Sequence, residues 1–273
     1  MSHSFGWSRE LRAQAALFVR ALRTNFAYQP AMFLGMFTVA ISYVVPMLVW
    51  RHVYAVRSQP AEVPAQFLFP YLLLASALNF CSFLGVEWRV GQRIRLGLIA
   101  TDLLRPVDFQ LTQLSQALSD LVLNVVMVLP FVAVAYALWG RLALPHDVWA
   151  LSAFLVSALL GLLIQFAVAY IFVQTAFFTM SNYGVFVART AMQQTFSGVS
   201  APLALFPPAL RGVTEYLPFC HTIHTPVAIY LGAVPLERVP GLLLVQVAWA
   251  LGLLLAGRAL LRLSLRYLEI QGG

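Results

Sequence analysis

From Val148 to Ala188 the chain runs for 41 residues without a charged side chain. A bilayer core about 30 Å thick takes roughly 20 apolar residues per helical crossing. The run is too long for one crossing and fits two joined by a tight turn, placed near Thr179 to Gly184. The sequence therefore predicts a span over Trp149 to Phe177 and another over Val185 to Leu205. Arg189, one turn inside the second, is expected to snorkel out to the interface. Four further stretches qualify as spans: Pro30 to Val49, Phe67 to Val86, Leu111 to Leu138 and Val239 to Gly257. With 61% hydrophobic and 10% charged residues, against roughly 25% charge in soluble domains, the chain reads as an all-α membrane protein of six spans.

Six crossings place both termini on one side, and arginine decides which. All 17 basic residues are arginine. With the N-terminus inside, the cytoplasmic parts hold Arg9, Arg12, Arg20, Arg23, Arg89, Arg93, Arg95, Arg105, Arg189, Arg258, Arg262 and Arg266, and the outer loops hold Arg51, Arg57, Arg141, Arg211 and Arg238. The positive-inside rule then favours cytoplasmic termini. It also accounts for the net charge of +7 through topology and anionic lipid headgroups, without nucleic acid. Residues 1–29 are expected to form a cytoplasmic N-terminus, 30–257 a single transmembrane domain, and 258–273 a basic cytoplasmic C-terminus. Nothing in the N-terminal pattern matches a cleavable signal, because its arginines interleave with apolar residues.

Within 1–29, Arg9, Arg12, Arg20 and Arg23 share one helical face, and Leu11, Ala15, Phe18, Leu22 and Phe26 cluster opposite. That pattern predicts an amphipathic helix lying in the interface; a helix on a soluble core is the alternative. The most polar stretch, 87–108, carries Arg89, Arg93, Arg95 and Arg105 around Asp102. Residues 206–236, broken by Pro207, Pro208, Pro218, Pro226 and Pro235, are expected to form short re-entrant or interfacial helices on the outer side, an ordinary outer loop being the alternative.

A phosphate-cradling loop needs a lysine after its glycines, and this sequence contains none. ATP-driven work by such a chain requires a separate ATPase, for which 87–108 is the expected landing site. Other chemistry is thinly supported. His221 and His224 have metal-ligand spacing, but no acid or cysteine accompanies them, so no metal site is assigned. Ser197-Gly198-Val199-Ser200 is similar to a serine nucleophile, yet the last span has no histidine to activate one. Cys81 and Cys220 sit in apolar surroundings as packing residues. Asp120, inside the third span, either pairs with Arg189, lines a water-filled path, or lies near the headgroups if that span starts later. Ser76, Asn79, Gln193, Gln194 and Ser197 are polar positions that line a pathway or join helices.

Three stretches resemble the ABC-2 type exporter permeases, in the branch of bacterial ABC-2 family transporter proteins. They are RLGLIATDLLRP from Arg95 to Pro106; the series Ser197-Gly198, Pro202-Leu203, Phe206-Pro207, YLPF over Tyr216 to Phe219, Pro226 and Leu231-Gly232; and the ending RYLEIQGG from Arg266 to Gly273. The resemblance implies a half-transporter in the bacterial inner membrane. It would pair with a second copy or a related permease and dock one cytoplasmic ABC ATPase, which holds the ATP and magnesium; this chain itself would carry no cofactor. It further implies that the N-terminal helix is a connecting helix and that Pro207, Tyr216, Pro218, Phe219 and Pro226 belong to an outer re-entrant element. The coupling helix would comprise Arg93, Arg95, Gly97, Asp102, Leu103, Leu104, Arg105 and Pro106. Spans two and five would border the path, with Ser76, Asn79, Asp120, Gln193, Gln194 and Ser197 as candidate lining. The substrate class it suggests is a hydrophobic or amphipathic small molecule: a drug, natural product or lipid. An intramembrane hydrolase using Ser197 or Ser200, and an ion-coupled transporter centred on Asp120, are the competing expectations.

Overall fold

The structure, a computed structural model, describes residues 7–27, 29–56, 63–139, 148–179 and 183–265. The loop at 57–62, the centre of the turn placed near Thr179 to Gly184 and the RYLEIQGG ending lie outside the described residues. Among those described the protein is all-α, with twelve α-helices and no strand. In order they are α1 (Trp7–Ala27), α2 (Gln29–Val56), α3 (Ala65–Cys81), α4 (Val86–Arg95), α5 (Ile99–Leu103), α6 (Phe109–Trp139), α7 (Val148–Val173), α8 (Ala176–Thr179), α9 (Tyr183–Phe196), α10 (Pro208–Tyr216), α11 (His224–Tyr230) and α12 (Val239–Ser264).

Five stretches among the described residues are long and apolar enough to cross a membrane: Leu34–Val56, Ala65–Arg95, Phe109–Ala137, Val148–Phe178 and Leu236–Ser264. Their burial differs sharply. The α7 stretch is 67% buried and the α2 and α12 stretches 17% each, so α7 is the central post and the other two face outward. Leu34, Phe37, Ile41, Leu48, Leu251 and Leu255 are exposed, the inverse of a water-soluble surface and the surface that lipid requires.

The fifth expected span departs from expectation. Its helix, α9, has 14 residues and stops at Phe196, about 21 Å of rise, too short to cross alone. The cause is local: Gly198 adopts φ +80° and Pro202 precedes a single 3₁₀ turn, Leu203–Leu205. The backbone freed there is tied to protein instead of water. Tyr71 Oη donates to Gly198 O at 2.8 Å, and the His224 amide donates to Ser197 O at 3.1 Å.

Residues 206–236 form two short helices of opposite character. α10 is mostly exposed, whereas Thr225 to Ile229 of α11 are buried against α7 and α3. The approach to α7 is close because position 161 is glycine. A Cβ there would lie 2.8 Å from Thr222 O and 3.0 Å from His221 O. Gln246, fully buried on α12, secures the same contact by donating to Ser157 O at 3.0 Å and His221 O at 2.7 Å.

α1 is helical as expected, with Arg9, Arg12, Arg20 and Arg23 exposed. Its contact with α6 runs along a polar edge and not along the apolar stripe. Gln14 bonds to Thr112 and Ser115, and Asn25 to Ser119 and Asp120. Leu11, Ala15 and Phe26 remain exposed.

The Gly161 contact yields a paired prediction. Gly161→Ala forces backbone apart and destabilises the protein by roughly 1–3 kcal/mol. Gly252→Ala on α12, where a Cβ meets nothing within 4 Å, is neutral or stabilising by up to about 1 kcal/mol. Thermal unfolding of the two variants in detergent compares them directly.

Candidate functional site

The site is built at the end of the bundle where α3, α7 and α12 finish and α6 begins. Gly85, at φ +59°, turns the chain out of α3. A Cβ there would lie 2.6 Å from Arg89 Nη1 and 3.1 Å from Asp120 Oδ2, so glycine makes room for that pair. α4 follows with Val86, Glu87, Val90 and Gly91 buried. It ends at Arg95, Gly97 at φ +69° turns the chain, and α5 runs back. The hairpin is closed by Asp102, which takes both Nε and Nη2 of Arg93, the latter at 2.8 Å, with Arg105 at 3.7 Å.

This arrangement sorts the expected docking residues. Arg93 and Asp102 are spent on each other. Leu103 packs against the core cluster around Phe166 and Tyr170. Left outward are Arg95, Leu96, Gly97, Leu98, Leu104 at 85% exposure, Arg105 and Pro106. The tip is thus three exposed leucines flanked by two arginines. Beside it lies a cup of about 260 Å³ lined by Arg89, Gln92, Arg93, Asp102, Arg105 and Gln113 among others.

One expectation about charge is corrected, and one of the three alternatives for Asp120 is set aside. Arg189 does not snorkel outward: it is 5% exposed and bidentate on Glu87, itself 8% exposed, with Nη2 to Oε2 at 3.0 Å. Asp120 does not meet Arg189. It pairs with Arg89 and accepts from Asn25 at 2.9 Å. The physical reason is the turn at Gly85, which sets α4 so that Glu87 and Arg89, two residues apart, reach a base on α9 and an acid on α6 in different directions. A third pair, Arg258 with Asp108, joins α12 to the start of α6, where Asp108 also accepts the Leu111 amide at 2.9 Å.

Next to Arg189 a cavity of about 500 Å³ opens between α2, α3, α6, α7 and α9. Of the expected lining residues, Asn79, Gln193 and Gln194 are in its wall. The other three are elsewhere: Ser76 donates to Ser42 O at 3.1 Å, Ser197 is fully buried, and Asp120 belongs to the Arg89 pair. Asn124, Gln165 and Thr190 also line the cavity and were missed. A lone amide within an uncharged apolar run was the available signal for Asn124 and Gln165.

At the opposite end, Pro218, Phe219 and Pro226 are buried, and Pro207 and Tyr216 are exposed. His221 Nδ1 lies 3.0 Å from Thr225 Oγ1, and His224 Nδ1 lies 2.9 Å from Tyr71 Oη. Burial lowers both histidine pKa values, that of His224 to about 4 with His221 and Arg211 adding to the effect, so both rings are neutral hydrogen-bonding groups. Ser197 Oγ is buried and makes no hydrogen bond among the described residues. No serine–histidine pair is present there. Burial, aided by Glu215, pushes the Cys220 thiol up to about 12, which suits a packing residue.

A family model described as ABC-2 family transporter protein matches residues 65–272. The chain belongs to that family. The match starts with the first residue of α3 and takes in the α4–α5 hairpin, the cavity walls from α3, α6, α7 and α9, and the α10–α11 element. A search of curated proteins finds no match. In this ABC-2 family protein the exposed tip and all of the cavity wall except its α2 side thus lie in one matched region, bridged by Glu87–Arg189.

That bridge is testable as a cycle. Glu87→Leu or Arg189→Leu alone leaves a charge buried without its partner and destabilises by about 3–5 kcal/mol, while the double variant recovers most of the loss. Thermal unfolding of the three variants measures the coupling. Equal, additive losses would count against a buried pair.

Proposed function

We propose that this chain is the membrane permease subunit of an ATP-binding-cassette exporter, working as a dimer with itself or a related permease and driven by a separate cytoplasmic ATPase. The observation that carries the reading is the Glu87–Arg189 pair, because it joins an exposed docking tip to the wall of a membrane-depth cavity. In this reading α9 and the broken segment 197–205 together make the fifth of six crossings, both termini are cytoplasmic in a bacterial inner membrane, and α10–α11 form an outer re-entrant element. α1 lies on the membrane surface with its open face of Leu11, Ala15 and Phe26 in lipid.

The mechanism follows from which parts are fixed together. The ATPase grips Leu96, Leu98 and Leu104, with Arg95 and Arg105 setting register. Asp102 locks the hairpin through Arg93, so a push on the tip moves α4 as a unit, and Glu87 carries that movement to Arg189 on α9. The cavity then changes shape between an ATP-bound and an ATP-free state, as differential contacts in two states require. Its mixed wall suits a hydrophobic or amphipathic small molecule as substrate.

The double variant Leu104→Asp with Arg105→Glu is expected to lower ATPase affinity by at least about 100-fold, the scale of losing an interface hot spot, without unfolding the permease. Co-purification with the ABC ATPase encoded nearest this reading frame measures it. Retained association in a folded variant would remove the docking assignment. Orientation has its own check: Leu104→Cys should react with a membrane-impermeant maleimide in inside-out vesicles and not in right-side-out ones, against a low background because Cys81 and Cys220 are buried.

A further inference from the structure

We infer that the cavity between α2, α3, α6, α7 and α9 seats an amphiphile whose polar head is uncharged and both donates and accepts hydrogen bonds, a hydroxyl- or amide-bearing head on an apolar body. This deepens the permease reading and rests on it for the direction of transport. Four buried polar atoms on residues lining this cavity have no hydrogen-bond partner among the described residues: Nη1 of Arg189, Oγ1 of Thr190, and Oε1 of Gln165 and Gln193. Such atoms are costly, and in a lipid environment they cannot borrow water from outside the protein.

Comparison with similar side chains elsewhere in the protein sets Thr190 and Gln165 apart, whereas the unpaired Oε1 of Gln193 is shared by Gln174 and Gln246 away from the cavity. Thr24, Thr38, Thr112 and Thr214 each donate to the carbonyl four residues earlier, whereas Thr190 on α9 leaves its hydroxyl unused. Gln174 and Gln246 each donate to two carbonyls that include a neighbouring helix. Gln165, 4% exposed on the central helix, makes no hydrogen bond to any described residue. An amide placed there without a structural task is placed for a ligand.

Charge then selects the head. The Arg189 guanidinium is matched by Glu87, so the cavity offers N–H donors with little net positive charge. An anionic head would compete with Glu87 for the guanidinium. A quaternary cation would leave the glutamine oxygens unmatched and meet Arg189 unfavourably. Once side-chain rotation turns these covered atoms to the cavity, a hydroxyl or amide accepts from Arg189 Nη1 and donates to the glutamine oxygens, with Thr190 serving either way. Leu34, Phe80, Phe83, Leu123, Met127 and Phe186 supply the apolar wall, and about 500 Å³ is the size of a small-molecule site.

The experiment uses the full chain in lipid nanodiscs, photolabelled with an alkyl glucoside bearing a diazirine in its chain, with adducts located by mass spectrometry. The expected result is saturable labelling of cavity residues such as Leu123, Met127 and Phe186. Unlabelled alkyl glucoside should displace the label at least about tenfold better than the alkyl sulfate or alkyltrimethylammonium of equal chain length, and Gln165→Leu should weaken displacement roughly tenfold. If Gln165→Leu fails to fold, Thr190→Val is the second variant, expected to act in the same direction. Absence of saturable cavity labelling, or equal competition by all three heads, overturns the inference. ATPase association is scored in the same preparation. Cavity labelling without it keeps the seat and removes the exporter reading; association without head selectivity does the reverse.

Discussion

A guanidinium held at 5% exposure inside a bundle built for lipid persists only because a carboxylate faces it with both oxygens. Arg189 and Glu87 meet that condition, and the placement of α9 depends on it. α9 is too short to span and packs mainly on α7. Its polar anchors are the Glu87 pair and Gln193, which donates to Thr222 at 2.9 Å. Burying two charges costs several kcal/mol per ion, which good geometry only about returns. The pair therefore contributes little net stability and much specificity: α4 and α9 fit together in one register, since any other leaves two isolated charges.

Elsewhere, uncharged amides do the joining. Gln246 and Gln174 tie α12 to α7, and Gln110 ties α6 to Leu254 of α12 at 3.0 Å. Lipid gives helices no hydrophobic reason to associate, so close packing and interhelical hydrogen bonds carry the association. The same logic explains why glycine sits at position 161, where another backbone comes within 3 Å of where a Cβ would be. The hydrogen bonds of Gln246 would be out of reach if α7 and the 221–225 turn were held farther apart.

Hydropathy made the long spans legible, because a bilayer imposes a length on each. The stretch read as Trp149 to Phe177 is found as Val148–Phe178, and that read as Leu111 to Leu138 is found as Phe109–Ala137. Where length is not imposed, the reading slipped. Val185 to Leu205 was apolar enough for a helix, but Gly198 and Pro202 end the helix at Phe196. Polarity pointed to a snorkelling Arg189 and left Asp120 with pairing as one of three alternatives; the actual partners were not legible, since Glu87 and Arg89 reach these residues only once Gly85 has turned α4. On α1 the helical wheel gave the face of the arginines correctly. The contact with α6 follows Gln14 and Asn25, a choice made by polar residues on α6 that no property of α1 announces.

Under the proposed function, these features make a short mechanical path. Glu87 and Arg95 are eight positions apart on α4, about 12 Å of helix, with the docking tip at one end and the cavity wall reached from the other. A rigid helix of that length converts a small rotation at the tip into a displacement of Glu87 that Arg189 must follow, because separating the pair leaves both charges unmatched in a dry environment. The neighbouring Arg89–Asp120 pair, part-exposed, is cheaper to break and can open or re-form as α4 turns. One strong link and one weak link two residues apart on the same helix is what a hinge needs: the strong link transmits, and the weak one gives.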